Sequence, residues 1–147
     1  MSLFLGGTSS ANECHDYEEG SFTMSLSQGS NTSNSGRYVK IGTMVLAAGN
    51  VSLDNISSGS NVQINGLPFT SDGGGVGRSY NGAIRGYNCS NISGSGMRPT
   101  NAVIHGDGTN VQFGTFESAQ AWSMMQYNDF TSTNNSVRWT CVYKSND

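Results

Sequence analysis

Charge is scarce in this chain. Charged side chains make up 12% of its 147 residues, with seven Lys or Arg against ten Asp or Glu, a formal net charge of −3 and a pI near 5.2. No cluster of Lys and Arg supplies the basic footprint that nucleic acid requires, which excludes that class of partner. No window approaches the ~18 consecutive apolar residues of a helical membrane span. Met1–Leu5 is too short for a secretory leader. Cysteine is limited to Cys14, Cys89 and Cys141, an odd and widely spaced set. That excludes a disulfide framework and a C-x-x-C metal pair, leaving isolated thiols, buried or half-buried, as the expected state. The nucleophile elbow G-x-S-x-G is missing too.

What is present is glycine, at 20 residues, with abundant serine and asparagine and with Tyr, Phe and Trp spread along the length. Disordered chains carry many charges and few aromatics, so this composition belongs to a folded domain. One domain is the expectation at this length, large enough to bury a core. The stretch Gly36 to Leu53, GRYVKIGTMVLAAGNVSL, dominates the pattern. Its β-favouring residues predict a short strand at 37–41, a turn at Gly42, and a long strand at 44–53. In the long strand Val45, Ala47, Val51 and Leu53 share one face, and Met44, Leu46 and Ala48 share the other. An antiparallel strand with one wet face alternates apolar and polar residues, and this one does not. Either both faces are covered within the chain, or a second subunit covers one.

The flanking sequence reads as further short strands. Phe22, Met24 and Leu26 alternate with polar residues, as Val62 and Ile64 do. Pro68 ends the latter segment, since it cannot donate to a ladder. Residues 78–87 form a strand interrupted by glycine. The pair 101–105 and 110–116 is joined at Asp107-Gly108, the strongest hairpin signal in the chain. Residues 117–127 are read as one or two helical turns or an irregular crossing. The last strand, 136–144, sets Val137, Trp139, Cys141 and Tyr143 opposite Arg138, Thr140 and Val142. About eight strands with turn chemistry between them predict an all-β antiparallel sandwich, jelly-roll-like, over residues 16–147, with 1–15 as a linker.

No catalytic constellation emerges. Asp16, Glu18 and Glu19 lie close together, but a glycosidase needs two carboxylates across a sugar, and a solvated or strand-capping acidic turn is the simpler reading. His15 is read as a surface histidine in preference to a metal ligand on a symmetry axis, and His105-Gly106-Asp107-Gly108 as strand end plus turn. Six Asn-x-Ser/Thr sequons are what chance supplies in so Asn- and Ser-rich a chain. We therefore expect no enzyme, no metal and no cofactor. For binding, saccharide recognition uses aromatic faces and planar polar groups. The loop-rich zones hold Tyr80, Arg85, Tyr87, Arg98, Trp122 and Tyr127, which are the receptor or glycan-binding candidates. Each aromatic among them has a competing role in the core or at a subunit interface.

Four motifs in order carry a family likeness: Asp16-Tyr17-Glu18-Glu19-Gly20, Phe22-Thr23, Gly36-Arg37-Tyr38-x-Lys40-Ile41-Gly42, and Ile64-x-Gly66-Leu67-Pro68-Phe69. Together they resemble the C-terminal domain of tail fibres and tail spikes common in marine and cyanobacterial phages. Leu5-Gly6-Gly7-Thr8 with Ala11-Asn12 resembles the end of the β-structured shaft that precedes such domains. The likeness covers the first half; past Phe69 it is carried by a closing aromatic strand ending in Tyr143. The segment Ser21-Phe22-Thr23-Met24 departs from the family, which usually has a Trp followed by a Pro. What the resemblance implies is a homotrimeric β-domain at the fibre tip of a virion, binding a host cell-surface glycan or outer-membrane protein, or locking the trimer. A fragment of a polysaccharide-degrading spike is the enzymatic alternative. It carries over no binding residue. It does assign the second apolar face, Met44, Leu46 and Ala48, to the trimer interface, where stable contacts cover ~800 Å² per partner. Three weak sites, each near ~1 mM, would then act together through avidity.

Overall fold

A computed structural model of the chain describes residues 3–4, 13–14, 16–29, 34–53, 58–73, 79–87, 100–115, 123–130 and 135–146. Leu3–Phe4 (β1) pairs antiparallel with Glu13–Cys14 (β2) as a small ribbon of its own. The remaining strands form one ten-stranded antiparallel sheet.

That sheet is built outward from the long strand predicted at 44–53. Gly42 adopts φ +58°, in the left-handed region, and there reverses the chain between Asn34–Ile41 (β5) and Met44–Leu53 (β6). The strand before the turn is three residues longer than predicted, running from Ile41↔Met44 back to Asn34↔Val51. On the other side, Asn135–Lys144 (β12) pairs with β6 along its whole length, from Asn135↔Leu53 to Lys144↔Met44. Tyr17–Thr23 (β3) lies outside β5. The acidic cluster expected to form a turn is therefore mostly strand, with only Asp16 in the turn, its carbonyl accepting the Gly42 N–H at 3.0 Å.

The second layer contains Ser25–Leu26 (β4), Gln63–Asn65 (β7), Asn101–His105 (β9), Asn110–Thr115 (β10) and Ser123–Met124 (β11). Asp107 sits at φ 60°, a conformation that Asp tolerates, in the turn between β9 and β10 foreseen at Asp107-Gly108. Within 117–127 the described part is β11 followed by a short 3-10 turn at Tyr127–Asp129; residues 117–122 lie outside the described set.

Two corners join the layers. Ser79–Tyr87 (β8) pairs with β9 over Ser79–Gly82 and with β12 over Ala83–Tyr87, so one strand serves both layers. Strands that switch layers through a sharp bend are how such sandwiches turn corners. Gly82 stands at the switch, where a Cβ would lie 2.2 Å from the Thr140 carbonyl oxygen. At the opposite corner only Met24 separates β3, the edge of the first layer, from β4, the edge of the second. The expected antiparallel sandwich is thus a single sheet folded over and nearly closed.

The inside of the fold follows the period of two. Val45, Ala47, Val51 and Leu53 of β6 and Val137, Trp139, Cys141 and Tyr143 of β12 are buried, as their alternation predicted. They meet Ile64, Ala102, Ile104, Val111 and Phe113 of the second layer, with Met125, Tyr127 and Phe130 filling in behind. Each large side chain fully withdrawn from water contributes about 1.5–3 kcal/mol. The segment after β7 covers one end: Tyr143 donates to the Phe69 carbonyl at 3.1 Å, and buried Ser71 donates to the His105 carbonyl at 2.6 Å.

Candidate functional site

In the first layer, residues directly opposite on neighbouring strands share a face, so the register gives the composition of the outward side row by row. Two rows are apolar: Tyr17–Ile41–Met44–Lys144 and Glu19–Val39–Leu46–Val142. Ile41, Met44, Leu46 and Val142 are 40–54% exposed and adjacent, a contiguous apolar patch. The next two rows are polar and basic: Ser21–Arg37–Ala48–Thr140–Ala83 and Thr23–Ser35–Asn50–Arg138–Arg85.

The boundary between the two halves is hollowed. A depression of about 760 Å³ lies between Arg37 and Arg138, with Ala48, Gly49 and Asn50 along its floor and Ser21, Ser35 and Thr140 on its sides. A second, of about 620 Å³, continues toward Glu19, Val39 and Leu46, sharing Ser21, Arg37, Ala48 and Thr140 with the first. A third, of about 170 Å³, separates Arg138 from Arg85. Because they share walls, the three make one groove across the layer. All three are open to solvent, so the groove suits a ligand that lies along the sheet surface.

The electrostatics of this groove are unusual for the chain. Arg85 and Arg138 stand directly opposite one another on β8 and β12. Like charges in that position destabilise a sheet by about 0.2–1 kcal/mol. Among the described residues, the side chains of Arg37, Arg85 and Arg138 make no hydrogen bond or ion pair. The neighbouring carboxylates are committed elsewhere. Glu19 accepts the Tyr17 hydroxyl at 2.8 Å, and Glu18, on the opposite face of β3, accepts that of Tyr38 at 2.5 Å. These bonds hold both phenols protonated and raise their pKa values above the ordinary range, the hydrogen bond being the largest cause and desolvation and carboxylate charge adding to it. Since Glu18 and Glu19 point to opposite faces, they do not form a pair across one ligand. Asn50 accepts the Ser136 hydroxyl at 2.9 Å, which fixes its amide on the groove floor.

The sequence-predicted site residues are scattered. Arg85 is exposed on the outward face beside Arg138. Tyr80, opposite Ile104, is only partly exposed; its ring packs on Tyr143 with centroids 6.3 Å apart, and its hydroxyl donates to the Asp72 carbonyl. Tyr127 is not available to a receptor: it is 0% exposed, and its hydroxyl is 3.0 Å from that of Ser27, so the candidate is corrected to a core residue. Its ring belongs to the buried hydrophobic cluster, and its hydroxyl lies 3.4 Å from the Gln63 carbonyl, to which it donates. The backbone of Tyr87 pairs with Ser136, and Arg98 and Trp122 lie outside the described residues. Of the interface candidates, Met44 and Leu46 are exposed in the apolar patch, while Ala48 is half-buried on the groove floor.

Elsewhere, Ser79 and His105 are cross-strand neighbours with oxygen and Nδ1 3.1 Å apart. Among the described residues no group of three or more His, Cys, Asp or Glu is placed to hold a metal ion. Burial pushes the Cys141 thiol up to about 11, in keeping with an inert core cysteine. No family model matches this chain, and neither does any curated protein or solved structure. The groove therefore rests on its own residues. Sequence reasoning missed Arg37, Asn50 and Arg138 as a set. Alternation had put Arg138 on the outward face, but which strands lie beside which was the missing datum.

Proposed function

We propose that the chain is the distal adhesive domain of a phage tail fibre, assembled as a homotrimer, which holds the virion to a host cell surface without transforming what it binds. The observation that carries this reading is the outward face of the first layer, with an apolar patch at one end and a groove lined by unpaired arginines at the other. A contiguous exposed apolar patch of this kind marks an interaction surface. The motif likeness over residues 16–69 supports the fibre assignment. Met44, Leu46, Ile41 and Val142 are the side chains we assign to contact between sister copies.

Two measurements on the purified chain test it. Sedimentation should give a trimer at low micromolar concentration, and L46D with V142D should give a folded single copy, because two carboxylates would then face an apolar partner surface. A glycan array should then show binding by the trimer. A monomeric wild type that binds nothing refutes the proposal, while a trimer that binds nothing assigns the chain to locking the fibre instead.

A further inference from the structure

Resting on that reading, we infer that the groove crossing the outward face takes an acidic saccharide, one whose carboxylate or sulfate groups are held by Arg37, Arg85 and Arg138. In the described structure these guanidinium groups have no partner, although the chain as a whole is acidic. Arg37 and Arg138 wall the same hollow, and Arg138 and Arg85 wall the next, so the three cations line one continuous path. A guanidinium presents a planar fork of donors that fits an oxyanion in two-point contact. The direct opposition of Arg85 and Arg138 is unfavourable in the free domain and becomes favourable once an anion lies between them.

The rest of the lining fits a sugar. Ser21, Ser35 and Thr140 are short neutral groups that can give and accept hydrogen bonds with hydroxyls. Asn50, held by Ser136, adds a planar amide at the floor, and Ala48 offers an apolar spot. A DNA backbone fits less well, because its phosphodiesters offer no free hydroxyls to Ser21, Ser35 and Thr140. The groove also runs on toward Glu19, where continuous phosphate would meet repulsion. Carboxylates or sulfates carried on a hydroxyl-rich chain suit both the arginines and the neutral groups of the groove.

The test uses the full chain with four probes: polygalacturonate, dextran sulfate, uncharged dextran and a single-stranded oligonucleotide. We expect binding to at least one acidic polysaccharide, weakening as salt rises, and none to dextran. R37Q and R138Q should each weaken it by about tenfold, the usual effect of losing one charged hydrogen bond. R85Q should weaken it while leaving thermal stability equal or higher, since it relieves like-charge opposition; a merely structural arginine would do the reverse. Absence of binding to both acidic polysaccharides overturns the inference, and so do tighter binding to the oligonucleotide and equal binding by the triple variant. Array binding to neutral glycans alone would refute the acidic ligand while leaving the adhesive role standing.

Discussion

Replacing Gly82 with alanine should destabilise the domain by an amount that can be worked from the corner it occupies. The added Cβ would lie 2.2 Å from the Thr140 carbonyl oxygen and 2.8 Å from both Cα and Cβ of Cys141. Three of those atoms belong to β12, paired on both sides and unable to swing away as a flexible side chain would. Overpacking against fixed atoms costs about 1–3 kcal/mol, and the upper end applies here. Alanine returns about 0.4–1 kcal/mol by restricting the unfolded chain. The net loss is then about 2 kcal/mol, which for a domain of this size lowers Tm by roughly 4–8 °C. The control is Gly59→Ala, whose new Cβ would have only Gln126 Oε1 nearby, at 4.0 Å. Its effect should stay within about 0.5 kcal/mol. Thermal and urea unfolding followed by circular dichroism reads both variants. If G82A melts with the control, β8 does not cross between layers at this point and the folded-over sheet is wrong. The placement of Arg85 beside Arg138 would fall with it.

Other outcomes follow from side chains described above. The Cys141 thiol, pushed to about 11 by burial, should carry roughly a hundredth of the thiolate of an ordinary thiol at 9.0, so the folded chain should resist alkylation there until denatured. Phe113→Ala empties a fully buried position and should cost about 3–5 kcal/mol, read by urea unfolding. Tyr17 and Tyr38 should be the late members of a phenolate absorbance titration, ionising above the ordinary 10.0. Because their folded pKa values are raised, whatever stability they contribute is complete below pH 10 and declines as pH rises through the folded values. In E18Q, Tyr38 should ionise earlier than in the wild type; an unchanged titration would remove the Tyr38–Glu18 bond from the account.

Much of the fold was legible because this chain obeys local rules over its longest strands. Alternation alone assigned Val45, Ala47, Val51 and Leu53 to one face of β6, and Val137, Trp139, Cys141 and Tyr143 to one face of β12. Gly42 and Asp107 marked their turns through the backbone conformations those positions require. What stayed hidden was pairing between distant strands. That β12 enters between β6 and β8 is set by packing across about ninety positions to β6 and about fifty to β8, for which a single sequence has no local signal. The same gap explains the site. Tyr127 lies in a loop-rich stretch that offers it both as a receptor contact and as a core residue, and tertiary packing places it fully inside. Arg37 and Arg138 come from strands a hundred residues apart and become neighbours in one groove only through the register of β5, β6 and β12.

The alternation along β12 has a consequence for how such a domain changes over generations. Val137, Trp139, Cys141 and Tyr143 hold the interior, so substitutions there are paid for in foldedness. Their immediate neighbours Ser136, Arg138, Thr140 and Val142 look outward. Every second codon of the strand is thus released from the demands of the one before it. Substitutions on the outward face can therefore accumulate in single steps, with the scaffold beneath inherited intact.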